Sequence, residues 1–432
     1  MSGYENYTLS PVPWIKQMPG HWGLVRGKNL YQKMQRPTSD TDEVVTCFRD
    51  GTVTLRKNRR TTGFTESLKE IGYQGIRKGD LVIHVMDAFA GSIGVSDSDG
   101  KGTPVYSVCQ AKGNSNNQYY ALLLREMARS GYIQSLYRGI RERSSDFRFE
   151  VFAAQFYPVP PREEQDQIVR FLDWKVSSIN RLINIKQEQL RKVKELLDRL
   201  FRDTTSKCSK KVKIKYLFEL DDDFFVPDAS ESYAKAGMYN RGRGIFLREP
   251  CLGNELGDSQ FQHIHSDRLM LSGQFAWEDA VYITQEKDTH GIASHRYYLL
   301  KPVRYIPVEY LWLYFLSGEG FFNLQQCSHG SAGRNRPLNI KEVLNLELPV
   351  PDDKEKANAL NELVRDYMRL QVITEEEKKA LLDFKTHLVA DIVTGKIDVR
   401  GIEIPEYEFV DEDIDNADEV MEQGVNEPLE EE

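Results

Sequence analysis

The stretch PVPPREEQDQIVRFL at 158–172 returns, reworded, as PVPDDKEKANALNEL at 349–363, an offset of 191 residues. The correspondence runs on without a gap. Leu172 matches Leu363, Ile179 matches Leu370, Leu190 matches Leu381, Val193 matches Phe384, Leu197 matches Leu388 and Phe201 matches Ile392. Steps of three, four and seven are the spacing of an apolar seam along a helix. Each stretch continues for about 40 residues without Gly or Pro, which predicts two helices of roughly 60 Å. Pro161 suits a first helical position with Glu163 and Glu164 in the first turn, and Asp352 and Asp353 suit a cap for the second helix. A helix of this length has to bury its stripe. The first must lead from one domain to the next and the second must return. Antiparallel packing about a pseudo-two-fold axis is therefore expected, through Leu172, Ile179, Leu190, Val193, Leu197, Leu363, Leu370, Leu381, Phe384 and Leu388.

The repeat also extends backwards. Gly139 matches Gly330, Arg143 matches Arg334, Phe147 matches Leu338, and YYALLL (119–124) lines up with YLWLYF (310–315). The chain is a tandem of two domain-plus-helix modules. The expected segments are a domain at 1–157, a helix at 158–206, a domain at 207–348, a helix at 349–402 and a tail at 403–432. TVTLR (52–56), DLVIHVM (80–86) and QFAWEDAVYI (274–283) read as strands, while YYALLLREMA (119–128) and EYLWLYFL (309–316) read as helices laid on them. The fold class is α+β: two mixed globular domains, each followed by a long helix of a coiled-coil-like spacer.

Charge narrows the partners. The net −9 is a property of the tail, where 403–432 carries 14 acidic and no basic side chains. The remainder is positive, and 1–157 alone holds 21 basic against 15 acidic residues. A polyanion partner is allowed, and the tail reads as a solvated, disordered appendage. No apolar run is long enough for a membrane span, and no secretory leader pattern opens the chain. The five cysteines are scattered without a CxxC pair, which fits a reduced cytoplasmic compartment and neither a zinc site nor a disulfide framework.

Catalytic signatures are missing. There is no GxxxxGK[ST], HExxH or GxSxG, and Gly242-Arg243-Gly244 lacks the rest of a dinucleotide fingerprint. Pro351-Asp352 with Glu376-x-Lys378 imitates a nuclease pattern, but the parts lie far apart on one straight helix and cannot share a metal ion. Basic clusters are more informative. The first module offers Arg56, Lys57, Asn58, Arg59 and Arg60, then Arg138, Arg141, Arg143 and Arg148. The second offers Asn240, Arg241, Arg243 and Arg248, then Arg334, Asn335 and Arg336. Arg and Asn read guanine and adenine edges by paired hydrogen bonds, while Lys and Arg neutralise phosphates. Any surface loop can be basic, yet the clusters at 138–148 and 330–336 recur at equivalent places. A DNA-reading chain is expected, and a two-module scaffold for RNA or protein is the alternative.

The chain resembles the specificity subunits of type I restriction–modification systems over 13–402. The resemblance is carried by WIKQMPGHWGLVRGKNL (14–30), PVPPREEQDQIVRFLDWKVSSINRLI (158–183) and FKTHLVADIVTGKIDVRG (384–401). It is carried too by GFTESLKEIGYQGIRKGDLVIHVMDAFAGSIGVSD (63–97), AGMYNRGRGIFLREP (236–250) and FAWEDAV (275–281). It implies a non-catalytic subunit with two target recognition domains, each reading half of a split site in double-stranded DNA. The helices would act as ruler and as docking surface for two methyltransferase subunits and for restriction (translocase) subunits. S-adenosylmethionine, ATP and Mg²⁺ would sit on those partners and none on this chain. The family-type PPxEEQxxI start is kept as Pro160, Pro161, Glu163, Glu164, Gln165 and Ile168. The second helix departs from it with Lys356 and Ala359, which puts the contacts of that start in doubt.

Overall fold

The computed structural model describes residues 3–59, 71–136, 146–240, 242–257, 259–330, 336–351 and 354–411. The chain forms two compact units, one joining Met1–Asn184 to the segment from Lys378 onward, the other Ile185–Glu377. The unit boundaries cut both long helices, so each unit owns half of each.

In the first unit, β1 (Gly23–Arg26) leads through a helical turn into β2 (Tyr31–Lys33). The hairpin β3 (Val45–Cys47) and β4 (Val53–Leu55) follows, then β5 (Leu81–His84), β6 (Ile93–Val95) and β7 (Tyr106–Ala111). Strands β2-β7-β5-β6 make an antiparallel sheet. Helix α1 (Asn117–Arg129) buries Tyr119, Tyr120, Leu123, Leu124 and Met127, and the Asn116 side chain caps it by accepting from Gln118 N and Tyr119 N. Strand β8 (Phe156–Val159) pairs back on β1 and delivers the chain into α2 (Arg162–Thr205).

The second unit repeats this frame. Its strands include β9 (Lys210–Lys213), β10 (Phe218–Leu220), β11 (Ser232–Met238), β12 (Ile245–Leu247), β13 (Phe261–His263), β14 (Leu269–Ser272), β15 (Val281–Ile283), β16 (Gly291–Ser294) and β17 (Tyr297–Pro302), with short strands at Phe224–Phe225 and Cys251–Leu252. The order β10-β17-β14-β15 is that of β2-β7-β5-β6. Helix α3 (Val308–Leu316) covers the sheet, and β18 (Glu347–Val350) pairs with β9 before α4 (Lys354–Val393). The stretch 274–283 departs from the expected strand. Only Val281–Ile283 is extended, because 276–278 is a 3-10 turn and Asp279 is left-handed at φ 61°.

What differs between the units is the chain inserted in the frame. In the first it runs from 34 to 80 and carries the β3–β4 hairpin. In the second it runs from 221 to 268 and contributes β11, β12 and β13 to a six-stranded sheet that also contains β16. Both inserts leave and rejoin at the same place. Lys33 and Leu81 both pair with Cys109, and Leu220 and Leu269 both pair with Leu300. One strand thus separates the two ends of each insert, about 10 Å at ordinary strand spacing.

The helices run antiparallel within each unit. Asn180 meets Lys385 in the first, where Ile168 and Leu172 share a core with Leu388 and Ile392. In the second, Lys186 Nζ lies 2.6 Å from Glu377 Oε2, and Leu197 and Phe201 share a core with Leu360 and Val364. Of the expected seam, Leu172, Ile179, Leu197 and Leu388 are buried, and Leu190, Val193 and Leu381 are half-buried. Leu363, Leu370 and Phe384 correct the expectation, being 44%, 37% and 53% exposed. Tyr367 stacks towards Trp312 with ring centroids 5.9 Å apart, and Val364 and Met368 are buried with it. The repeat offset puts Asp173 and Val176 where Val364 and Tyr367 stand. The larger apolar pair turns the buried face of α4 by one residue, leaving Leu363 and Leu370 at its edge.

The start of α2 is a polar clamp. Glu164, buried, accepts from Tyr4 Oη at 2.6 Å, Trp22 Nε1 at 2.8 Å and His21 Nε2 at 2.8 Å. Gln165 Oε1 accepts from Asn116 N while its Nε2 donates to Pro160 O, both at 2.8 Å. The family-type start thus ties the N-terminal segment and α1 to the helix. Of the expected tail at 403–432, residues 412–432 lie outside the described residues, and 403–411, though largely exposed, is held against α2. Asn180 Nδ2 donates to Val410 O, Val410 N donates to Ser177 Oγ, and Arg181 pairs with Glu408. Ile404 within this acidic stretch, and Ile402 just before it, pack half-buried against the core and favour the docking. Among the described residues, no helix is long and apolar enough to cross a membrane.

Candidate nucleic-acid interface

The first-unit cluster 56–59 sits at the foot of the β3–β4 hairpin, on a single 3-10 turn, Arg56–Asn58. Its Lys57 and Arg59 charges are met locally. Arg56 Nε is 3.4 Å from Thr46 Oγ1, Lys57 Nζ is 2.5 Å from Glu43, and Asn58 Nδ2 donates to Thr54 Oγ1 at 2.8 Å. Arg59 turns back into the hairpin, its guanidinium 4.5 Å over the Phe48 ring and 2.5 Å from Asp50 Oδ2. Burial pushes the Asp50 carboxyl up, but the Thr52 amide and Arg59 outweigh it and hold it below its ordinary value. The hairpin tip adds Arg49, which pairs with Asp87 at 3.1 Å in the turn between β5 and β6.

In the second unit the corresponding turn, Phe275–Asp279 between β14 and β15, gathers residues that are far apart in sequence. Asn240 Nδ2 donates to Glu278, and the Arg336 guanidinium lies 4.8 Å from the Trp277 ring centre. Arg243 stacks 5.3 Å over Tyr239 and donates Nε–H to Asn240 O at 3.0 Å. Asn240 and Arg336, 96 residues apart in sequence, therefore meet on one turn. Stacking fixes the orientation of a guanidinium plane, and an oriented guanidinium is the group that reads base edges or phosphate. Arg248 is exposed one residue past β12. Arg148 is exposed and pairs with Asp146 at 2.6 Å. Arg60, Arg138, Arg141, Arg143, Arg241, Arg334 and Asn335 lie outside the described residues.

The sequence reading missed Trp277, Phe275 and Arg49. The signal for Phe275 and Trp277 was available in the repeat, since MDAFAG (86–91) and QFAWED (274–279) are the same turn in the two modules; Arg49 reaches that turn only through the fold of its hairpin. A separate polar knot joins β10 to β14. Asp221 accepts from Arg268 Nε at 2.6 Å, lies 3.0 Å from His265 Nδ1, and pairs with Lys301 at 3.1 Å. Among the described residues, no group of three or more His, Cys, Asp or Glu is placed to hold a metal ion.

No protein-family model matches the sequence, and no curated protein does. Solved structures do. A chain from a study of complex assembly and conformational transition in the type I R-M system aligns at TM-score 0.55 and 12% identity, covering 91% of this chain and 100% of that one. The HsdS subunit of Thermoanaerobacter tengcongensis aligns at TM-score 0.42 and 12% identity, covering 88% and 98%. The type I restriction-modification S subunit of M. genitalium aligns at 0.44 and 12%, covering 91% and 99%. The chain shares its fold with the type I R-M system chain that aligns with it at TM-score 0.55.

Proposed function

We propose that this chain is the DNA-reading, non-catalytic subunit of a type I restriction–modification complex. Each globular domain reads one half of a bipartite duplex target, and the two long helices set the spacing between the halves. The observation that carries this reading is the repeated frame: the same strand order in both units, each with an arginine-bearing hairpin directed at the same turn. Methyltransferase and restriction subunits would dock on the helices. The exposed Leu363, Leu370 and Ile373 on α4 suit a partner's apolar helix face. S-adenosylmethionine, ATP and Mg²⁺ would be held by those partners, where the chemistry takes place.

The test is an exchange of 207–348 for the matching segment of a relative in cells that also express the methyltransferase subunits. Sequencing of modified DNA should then show one half of the methylated motif changed and the other kept. A change in both halves, or in neither, would sink the modular reading. Binding of the assembled complex should also weaken steeply with salt, as phosphate contacts require.

A further inference from the structure

The 239–244 turn of the second unit is tied down at three points. Gly242 N donates to Asp279 O at 2.7 Å, Gln371 Nε2 on α4 donates to Gly242 O at 2.9 Å, and Asn240 donates to Glu278. Asp279 in turn receives Lys194 Nζ on α2, 3.4 Å from its carboxylate. Asp279 holds φ 61°, a left-handed conformation that glycine adopts freely and an aspartate does not. The equivalent residue of the first unit is glycine, Gly91 at φ 93°. An aspartate kept in that conformation, with its carboxylate on Lys194 and its carbonyl on the turn, joins the turn to a helix.

The repeat offset maps Lys194 onto Lys385 and Gln371 onto Asn180. In the first unit those two side chains meet each other at 3.5 Å. With Arg49 and Gly91 they line an open cleft of about 470 Å³. The same helix positions thus grip a turn in one unit and border an open cleft in the other.

We propose that Lys194, Gln371 and Asp279 are positioning residues that lock the 239–244 turn onto both helices, and so set the distance of the second half-site from the spacer. The proposal rests on the DNA-reading function proposed above. Asn240 and Arg243 ride on this turn, so any slip of the turn moves both DNA-facing groups together.

The test copies the first unit into the second with Asp279→Gly and Gln371→Asn. Glycine relieves the left-handed constraint, which favours folding. The wild-type and variant complexes, each with its methyltransferase subunits, are given plasmids bearing the target with its native spacer or with one base pair added or removed. The variant should keep the half-site bases but lose about tenfold of the preference for the native spacer, as expected for two lost polar contacts. Lys194→Met should relax spacing in the same direction and Lys194→Arg should restore it. An unchanged spacer preference overturns the lock. A uniform loss on every spacer with a lowered Tm also overturns it, by reducing the residues to a structural role. A wild-type complex that methylates no defined motif would instead overturn the DNA-reading function itself.

Discussion

Removing the Glu164 carboxylate should loosen the first unit from its N-terminal end. Tyr4 and Trp22 are 6% and 4% exposed, so in Glu164→Ala neither the phenol nor the indole can turn to water. His21 is more open and can rehydrate, its side chain being 37% exposed. An orphaned buried donor costs about 1–3 kcal/mol, and two of them give a loss of roughly 3 kcal/mol after partial relaxation. In a unit of this size that is a Tm decrease of about 6–12 °C. The repeat supplies the control. Glu355 stands at the matching position of α4 and is exposed, so Glu355→Ala should stay within about 0.5 kcal/mol of the parent. Thermal unfolding followed by circular dichroism gives the Tm values, and amide hydrogen exchange over residues 3–26 localises the loss. Equal Tm values for Glu164→Ala and Glu355→Ala would refute the clamp, as would unchanged exchange at 3–26.

Two further outcomes follow from the polar contacts. Burial pushes Asp221 upward, but hydrogen bonds from Arg268, Lys301 and His265 prevail and hold it at about 2 against an ordinary 3.8. A depressed carboxyl contributes fully above its unfolded value and loses that contribution as pH falls through the folded one. The Tm gap between parent and Asp221→Asn should therefore be constant near neutrality and close between about pH 4 and pH 2; a gap that persists at pH 2 would assign the effect to packing. Truncation after Ile402 removes the contacts of Val410 and Glu408 to α2 and should lower Tm by about 4–8 °C, for roughly 2 kcal/mol of hydrogen bonding. Truncation after Asp411 spares those contacts and should leave Tm unchanged, so equal Tm values for the two truncations would contradict the docking.

The duplication and both long helices were legible because Gly-free, Pro-free heptad spacing leaves few alternatives. The face that α4 buries was not. Leu360, Leu363, Val364, Tyr367, Met368 and Leu370 supply two overlapping stripes. The choice between them rests on Trp312, a residue of α3 that no spacing on α4 reveals. The tail misled for a related reason, since its mean charge conceals Ile404, which finds a core only once α2 is in place. Among the basic candidates, Arg59 and Lys57 are matched by Asp50 and Glu43 in the same hairpin. Sequence distance does not show that pairing, because it depends on where the hairpin turns. The convergence of Asn240 and Arg336 on one turn is likewise a property of the sheet order.

The shared exit and return of the two inserts bears on how such chains diversify. Each insert hangs from residues flanking a single central-strand residue, Cys109 or Leu300, and that pairing is made by main-chain groups. Main-chain pairing at these ends is indifferent to the side chains beyond it, so genetic exchange with junctions near 33 and 81, or near 220 and 269, keeps the attachment of an insert to its frame; what must still match is the pairing outside the insert, of Gln74–Ile76 with Gly100–Gly102 and of β11 and β13 with β16. The two inserts within one gene leave and rejoin across the same gap, so an exchange between them meets the same main-chain ends. Recombination between the halves of a single gene, and not only between genes, is then a route by which the chain acquires a new insert while its frame and helices keep their own sequence.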